Sequence, residues 1–192
     1  MRRSEVNALV RSAAQCFEEH GWALPPEPRW RVTDFGLGRL KLWGLVLLRQ
    51  VQEPEYAEDL AYLREGMVVP AHFEPHLKKE LLCRHGVLAI QLWPGDPVQT
   101  SGAKVPVKID GDIYEATAGD PIALEAGERM TLEPGVIHEY SPASPECILT
   151  LLHGGGSEDD TVFVNPDVRK KPEIEEDELP SFWLETDIEE AN

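Results

Sequence analysis

Gly66-Met67-Val68-Val69-Pro70-Ala71-His72-Phe73-Glu74-Pro75-His76-Leu77-Lys78-Lys79-Glu80-Leu81-Leu82-Cys83-Arg84-His85-Gly86 is the stretch that decides how this chain is read. Two glycines bracket a run in which imidazoles and carboxylates crowd together, at His72, Glu74, His76 and Glu80. Well downstream, Pro134-Gly135-Val136-Ile137-His138 places one more imidazole behind a Pro-Gly turn. Imidazole nitrogen together with carboxylate oxygen suits Mn, Fe, Co, Ni or Zn, and the lack of cysteine in the cluster argues against a structural zinc site. A mixed N/O site with positions open to water performs Lewis-acid chemistry on a small oxygenated substrate.

In a strand, residues two apart face the same way, roughly 6.6 Å apart along the axis. His72 and Glu74 therefore share a face and can reach one ion. His72 and His76 would lie about 13 Å apart in a straight strand. Pro75, however, cannot continue a central ladder, and the bend it invites would return His76 toward the ion. The residues thus offer His72, Glu80 and His138, with either Glu74 or His76 as the remaining ligand. A polar surface loop is the better reading of any one of these histidines alone, but not of the set.

The chain holds 192 residues and reads as one domain over 1–192, large enough for a core without disulfide staples. Its formal charge of −17 argues against nucleic-acid and membrane partners, because it would meet phosphate and anionic lipid with repulsion. Much of the excess sits in Glu173 to Glu178 and Glu185 to Glu190, where solubility is sufficient reason for it. Cys16, Cys83 and Cys147 are scattered and odd in number, which is neither a disulfide framework nor a zinc-finger spacing. Buried free thiols in a cytoplasmic protein are expected. Arg2-Arg3 leads into a polar, amphipathic stretch and not into the apolar segment of a secretory signal. Leu42 to Leu48, the longest apolar run, is too short to span a bilayer.

Val6, Leu9, Val10, Ala13 and Phe17 recur at spacings of three and four and predict a helix over 4–20, capped by Ser4 and stopped at Gly21. Pro25, Pro26 and Pro28 forbid helix over 22–30 and predict an extended connector. Beyond it the helical period vanishes. Leu40 to Val51, Tyr62 to Val69, Val87 to Trp93, Val105 to Ile109, Ile122 to Leu124, Arg129 to Leu132 and Cys147 to Leu152 read as short strands between turn residues. Asp110-Gly111, between Val107-Lys108-Ile109 and Ile113-Tyr114, is a hairpin signal. Many short, evenly punctuated strands predict an all-β sandwich or barrel, placed over 36–153. The extension over 157–192 is acidic, but Phe163, Val164, Ile174, Phe182, Trp183 and Leu184 are apolar anchors that predict contact with the barrel.

Other candidates carry less. His20 and His85 read as a helix-end side chain and a turn residue. His153 precedes Gly154-Gly155-Gly156, which lacks the Lys-Ser/Thr of a phosphate loop and reads as a flexible exit from the barrel. The five tryptophans are scattered and read as core or cavity wall. Lys78 and Lys79 flank the cluster, one as a solvated charge and the other as a proton-relay or substrate-holding group.

The bracketed motif resembles the cupin superfamily. There, G-x5-H-x-H-x3–4-E-x6-G and P-x-G-x2-H place metal ligands on neighbouring strands of a small β-barrel, a jelly roll. Gly66, His72, Glu80, Gly135 and His138 match it. The likeness extends to the D-lyxose ketol-isomerase family. Arg2-Arg3-Ser4-Glu5-Val6-Asn7 and Leu24-Pro25-Pro26 are similar to that family's K-R-S-x-I-N helix and L-P-P connector. Trp30-Arg31-Val32-Thr33-Asp34-Phe35-Gly36-Leu37-Gly38 is similar to its W-x-x-T-D-F-G-x-G, and Glu65 to Phe73 to its R-E-G-Q-x-x-P-x-H-F-H. Ser157 to Thr161 and Pro172 to Glu178 are similar to its V-N-D-D-x-T-D-N and I-E-E-D-E-P segments. These matches keep the family's order along nearly the whole chain.

The resemblance implies a cupin-type β-barrel and a metal-dependent isomerase, usually with Mn(II), that interconverts D-lyxose with D-xylulose and often D-mannose with D-fructose. The chemistry implied is proton transfer between C1 and C2, with the metal on the sugar oxygens and a lysine or carboxylate moving the proton. It implies His72, His76, Glu80 and His138 as ligands, His76 being preferred to Glu74 because imidazole is the family's ligand there. The family's His-Phe-His-Trp-x-Lys-x-Glu aligns with one residue inserted between the histidines and one removed before Glu80, which makes Lys79 the counterpart of the family's catalytic lysine. A homodimer acting on a small sugar is implied as well. One departure supports an alternative: the family's Gly-Glu-Val-Ser, with a glutamate facing the site, is Gly154-Gly155-Gly156-Ser157 here. That change suits a non-catalytic metal-binding cupin serving as a sugar-binding or regulatory module.

Overall fold

Val6, Leu9, Val10, Ala13, Cys16 and Phe17 form one buried stripe along helix α1, Arg3–Glu19. This is the apolar face that the spacing of three and four predicts. The start of the helix differs from expectation. Its N-cap is Arg2, not Ser4. The free amides at this end are met by the acidic tail: Arg3 N donates to Glu175 O at 2.9 Å and Ser4 N to Asp177 Oδ1 at 2.9 Å. Carboxylates at a helix N-terminus also complement its positive dipole end. Part of the tail's charge is thus a helix cap.

The computed structural model describes residues 1–154 and 160–189. The Gly155-Gly156-Ser157 exit and the adjoining Glu158 and Asp159 lie outside the described residues. After the proline connector, the chain runs through β1 (Arg29–Thr33), β2 (Leu45–Gln52), β3 (Tyr56–Arg64), β4 (Val69–Phe73), β5 (Lys79–His85) and β6 (Val87–Trp93). A short helix α2 (Pro97–Thr100) precedes β7 (Lys104–Ile109), β8 (Asp112–Thr117), β9 (Ile122–Glu125) and β10 (Arg129–Leu132). Then come β11 (Ile137–Pro142), β12 (Glu146–Gly154), β13 (Val162–Phe163) and a final helix α3 (Glu185–Glu189).

These strands form two antiparallel sheets, ordered β1-β2-β3-β12-β5-β10-β7-β8 and β13-β4-β11-β6-β9. They face each other as a jelly roll and not as a fully closed barrel. The expected Asp110-Gly111 hairpin joins β7 to β8, with positive φ at both turn residues (52° and 93°). The strand expected over Leu40 to Val51 begins later, at Leu45. The one expected over Tyr62 to Val69 is split, because Gly66 (φ 88°) turns the chain between β3 and β4. β1 and β5 were not expected from the apolar pattern at all: both are rich in polar and charged residues.

β3 is buried on both faces. Val46, Leu48, Leu60 and Tyr62 turn outward, and α1 covers them: the Phe17 ring stacks on Trp30 at 6.2 Å and meets Tyr62 edge-on at 6.5 Å. The opposite face of β1–β3 lines the space between the sheets. Cys16, Cys83 and Cys147 are buried free thiols, as expected. The tail is tied down by β13 on β4, by Arg169 N donating to Phe35 O at 2.8 Å, and by a bridge between Leu184 and Trp30. Among the described residues, no helix is long and apolar enough to cross a membrane.

Candidate functional site

β4 and β11 are antiparallel neighbours, and their register sets His138 directly opposite His72. Opposed residues share a sheet face, so both imidazoles project into the interior, with ring centroids 4.1 Å apart. Glu74, two residues past His72, keeps the same face and is also buried. The Pro134-Gly135 turn comes alongside, where Gly135, at φ 80°, donates its N–H to Glu74 O at 2.8 Å. The register slips between His138 and Tyr140, so that Val69 rather than Pro70 faces Tyr140. The bulge holds Val69 on one cavity wall with His72 and Tyr140.

One ligand atom from each of His72, Glu74 and His138 lies within 4.8 Å of the others, and this is the one such trio among the described residues. Both imidazoles have their tautomer set by the backbone. His72 Nδ1 donates to Pro70 O at 2.8 Å and His138 Nδ1 to Val136 O at 3.1 Å. Each Nε2 therefore carries a lone pair aimed inward. Among the described residues, His138 Nε2 is buried without a hydrogen-bond partner. Burial, and after it the positive charge of Lys79, pushes the His138 pKa down to about 4, against the pull of Glu74. The His72 pKa is held well below its ordinary value by burial first, then by His138 and Lys79. Two neutral imidazoles and a buried carboxylate aimed at one point are a donor set that fits a divalent first-row ion.

Lys79 enters from the other sheet. On β5 it shares the inward face with Leu81 and Cys83, and its Nζ pairs with Glu74 Oε1 and lies 3.4 Å from His72 Nε2. Lys78 turns to the surface and pairs with Glu133 at 2.9 Å.

Two expected ligands are corrected. Glu80 follows Lys79 on the same strand and so points to the opposite face, where it accepts from Thr131 Oγ1 at 3.0 Å. His76 is exposed on the bend made at Pro75. That bend does turn the chain back, but it returns Lys79 to the site as β5 begins, not His76. The structure therefore brings together His72, Glu74, His138 and Lys79, and leaves His76 and Glu80 outside. It also removes the insertion from the motif comparison. Counted without gaps, Glu74 stands where His-Phe-His-Trp-x-Lys-x-Glu has its second histidine, and Lys79 where it has its glutamate.

The cluster opens into a cavity of about 440 Å³ between the sheets. Apolar wall comes from Leu45, Leu47, Phe35 and Phe163, and polar groups from Thr33, Asp59, Tyr140 and His153. Asp59 is held by Arg31 at 2.8 Å and by Arg49 at 2.7 Å. Leu184, Glu185 and Thr186 of the tail close one side. Sequence reasoning passed over Tyr140 and considered His153 only beside the glycines of a phosphate loop, not as part of the site. Tyr140 lies two residues past His138, and His153 is paired across the sheet with Lys79, so strand parity would have found the first.

The chain matches the D-lyxose isomerase family over residues 1–188. It is 28% identical over 186 residues to the D-lyxose ketol-isomerase of Cohnella laeviribosi, covering 93% of this chain and 100% of that one. It is 26% identical over 184 residues to the D-lyxose/D-mannose isomerase of Thermosediminibacter oceani, covering 92% of this chain and 99% of that one. In fold it is similar to the L-ribose isomerase of Cellulomonas parahominis, with a TM-score of 0.66, 13% identity, and 91% and 98% of the two chains covered. With two motifs, their order along the chain and the match from end to end in agreement, the chain belongs to the D-lyxose isomerase family.

Proposed function

We propose that this chain is a metal-dependent aldose–ketose isomerase acting on a small sugar, D-lyxose/D-xylulose or D-mannose/D-fructose. The observation that carries the reading is the convergence of two Nε2 lone pairs and the Glu74 carboxylate at the wall of a cavity roomy enough for a monosaccharide. His72, Glu74 and His138 would hold the ion, with Mn(II) the ion that the family resemblance implies. When bound, a divalent ion supplies Lewis acidity that polarises a sugar carbonyl.

The chain's own groups do the remainder. Leu47, Phe35 and Phe163 offer apolar surface to the C–H faces of a sugar, while the polar wall orients its hydroxyls. The tail residues Leu184 to Thr186 limit the entry of water. Lys79, which lines the cavity, would hydrogen-bond the oxygen on which charge develops as a proton leaves C2 for C1. A cavity plugged by its aromatic residues would instead have suited the non-catalytic reading.

The test is metal analysis of the purified protein, followed by assay on D-lyxose, D-mannose, D-xylulose and D-fructose with added Mn(II). Interconversion within one pair is expected. Bound metal with no turnover of any of the four would overturn catalysis and leave a sugar-binding module. The same reading includes a cytoplasmic homodimer. The outermost strand β8 exposes Ile113 and Tyr114, apolar surface that a second copy would cover. A monomer mass on sizing over a wide concentration range would refute the dimer.

A further inference from the structure

We infer that Lys79 is a built-in competitor for the metal position: its ammonium and a divalent ion are alternatives at the His72–Glu74–His138 cluster, and metal enters by displacing it. This rests on the metal-site reading above. Lys79 Nζ is hydrogen-bonded to Glu74 Oε1 and lies 3.4 Å from His72 Nε2. The same Oε1 is 3.9 Å from His72 Nε2, and Glu74 Oε2 is 3.9 Å from His138 Nε2. An ion bound at roughly 2.0–2.2 Å from each donor would use the lone pairs to which Lys79 donates. The carboxylate oxygen and the imidazole lone pair cannot serve both cations in the same space.

Charge points the same way. Glu74 and Lys79 neutralise each other in a buried setting, their side chains being 7% and 11% exposed. The imidazoles add no negative charge, so with Glu74 paired to Lys79 the cluster has no uncompensated negative charge to attract a divalent ion. Entry of the ion beside a fixed ammonium would bring like charges together where solvent screens them little. Displacement answers this. Lys79 also lines the cavity, so its flexible four-carbon stem has room to carry the ammonium off Glu74 toward the substrate space. Metal affinity is thereby set against Lys79, and the displaced ammonium arrives where the sugar oxygens would lie.

The test is Mn(II) binding, measured by equilibrium dialysis with metal analysis, for the full-length wild type, Lys79→Met, Lys79→Gln and His138→Ala. Thermal melts confirm that each is folded, and the two Lys79 variants guard against misfolding of one. Both Lys79 variants are expected to bind one Mn(II) at least tenfold more tightly than wild type, and His138→Ala to bind none. Equal or weaker binding by the folded Lys79 variants, with wild type still dependent on His138, would overturn the competition and leave the metal site standing. No binding by wild type or either Lys79 variant up to millimolar Mn(II) would overturn the metal site, and this inference with it.

Discussion

Replacing Arg3 by Met should unlatch the C-terminal tail. The Arg3 side chain is 3% exposed and holds two carboxylates at once. Its Nε and Nη2 donate to Glu176 at 2.9 and 2.6 Å, and Nη1 and Nη2 donate to Asp187 at 3.1 and 2.7 Å. The two arms are unequal. Glu176 is 53% exposed, so that arm contributes less than about 1 kcal/mol. Asp187 is 15% exposed, and removing its cation leaves a mostly buried carboxylate short of a partner, a loss near the lower end of about 3–5 kcal/mol. Methionine fills the space of the arginine stem, so little packing is lost. The expected cost is about 3 kcal/mol, or a Tm lower by about 6–12 °C for a chain of this size. Leu184 to Thr186, next to Asp187, close one side of the cavity, so KM should rise more than kcat falls. Thermal melts of Arg3→Met, Asp187→Asn and the double variant form a cycle in which the new amide oxygen keeps the acceptor used by Leu184 N. A coupling below about 0.5 kcal/mol in that cycle would refute the reasoning.

Three other outcomes follow from the site and its surroundings. Glu74→Ala should lose Mn(II) binding while His76→Ala keeps it; the reverse, read by equilibrium dialysis, would restore His76 as the ligand. Mn(II) at a hundredfold excess over its dissociation constant should stabilise the folded chain by about 2.7 kcal/mol and raise Tm by about 5–11 °C, reversed by chelation, and an unchanged melt would count against a site formed only on folding. The His85 ring lies tilted against His20 with centroids 3.7 Å apart, and burial, then the charge of His20, hold its pKa below the ordinary value despite Glu146. The folded state therefore binds fewer protons at His85 than the unfolded chain, and stability from this residue is lost as pH falls below about 6.5. His85→Gln should flatten the decline of Tm between pH 7 and 5, and an unchanged slope would show that the residue contributes none of it.

The class of fold, the helix and the two segments that build the site are legible in the order of residues alone. The stripe from Val6 to Phe17, the turn at Asp110-Gly111 and the strand Val87–Trp93 all follow from local periods and local backbone preferences. Strand parity even pairs His72 with Glu74, which the structure keeps and the preference for a histidine at His76 set aside. β1 and β5 were not legible, because their charged residues are stabilised by partners far off in sequence: Arg31 by Asp59, Glu80 by Thr131. Parity within β5 depends on where the strand begins after the Pro75 bend, and only the pairing of β5 with β10 and β12 settles that. That pairing sends Lys79 inward and Glu80 to Thr131. The meeting of His72 with His138 likewise needed the register of β4 on β11, a non-local hydrogen-bonding choice that no local pattern encodes.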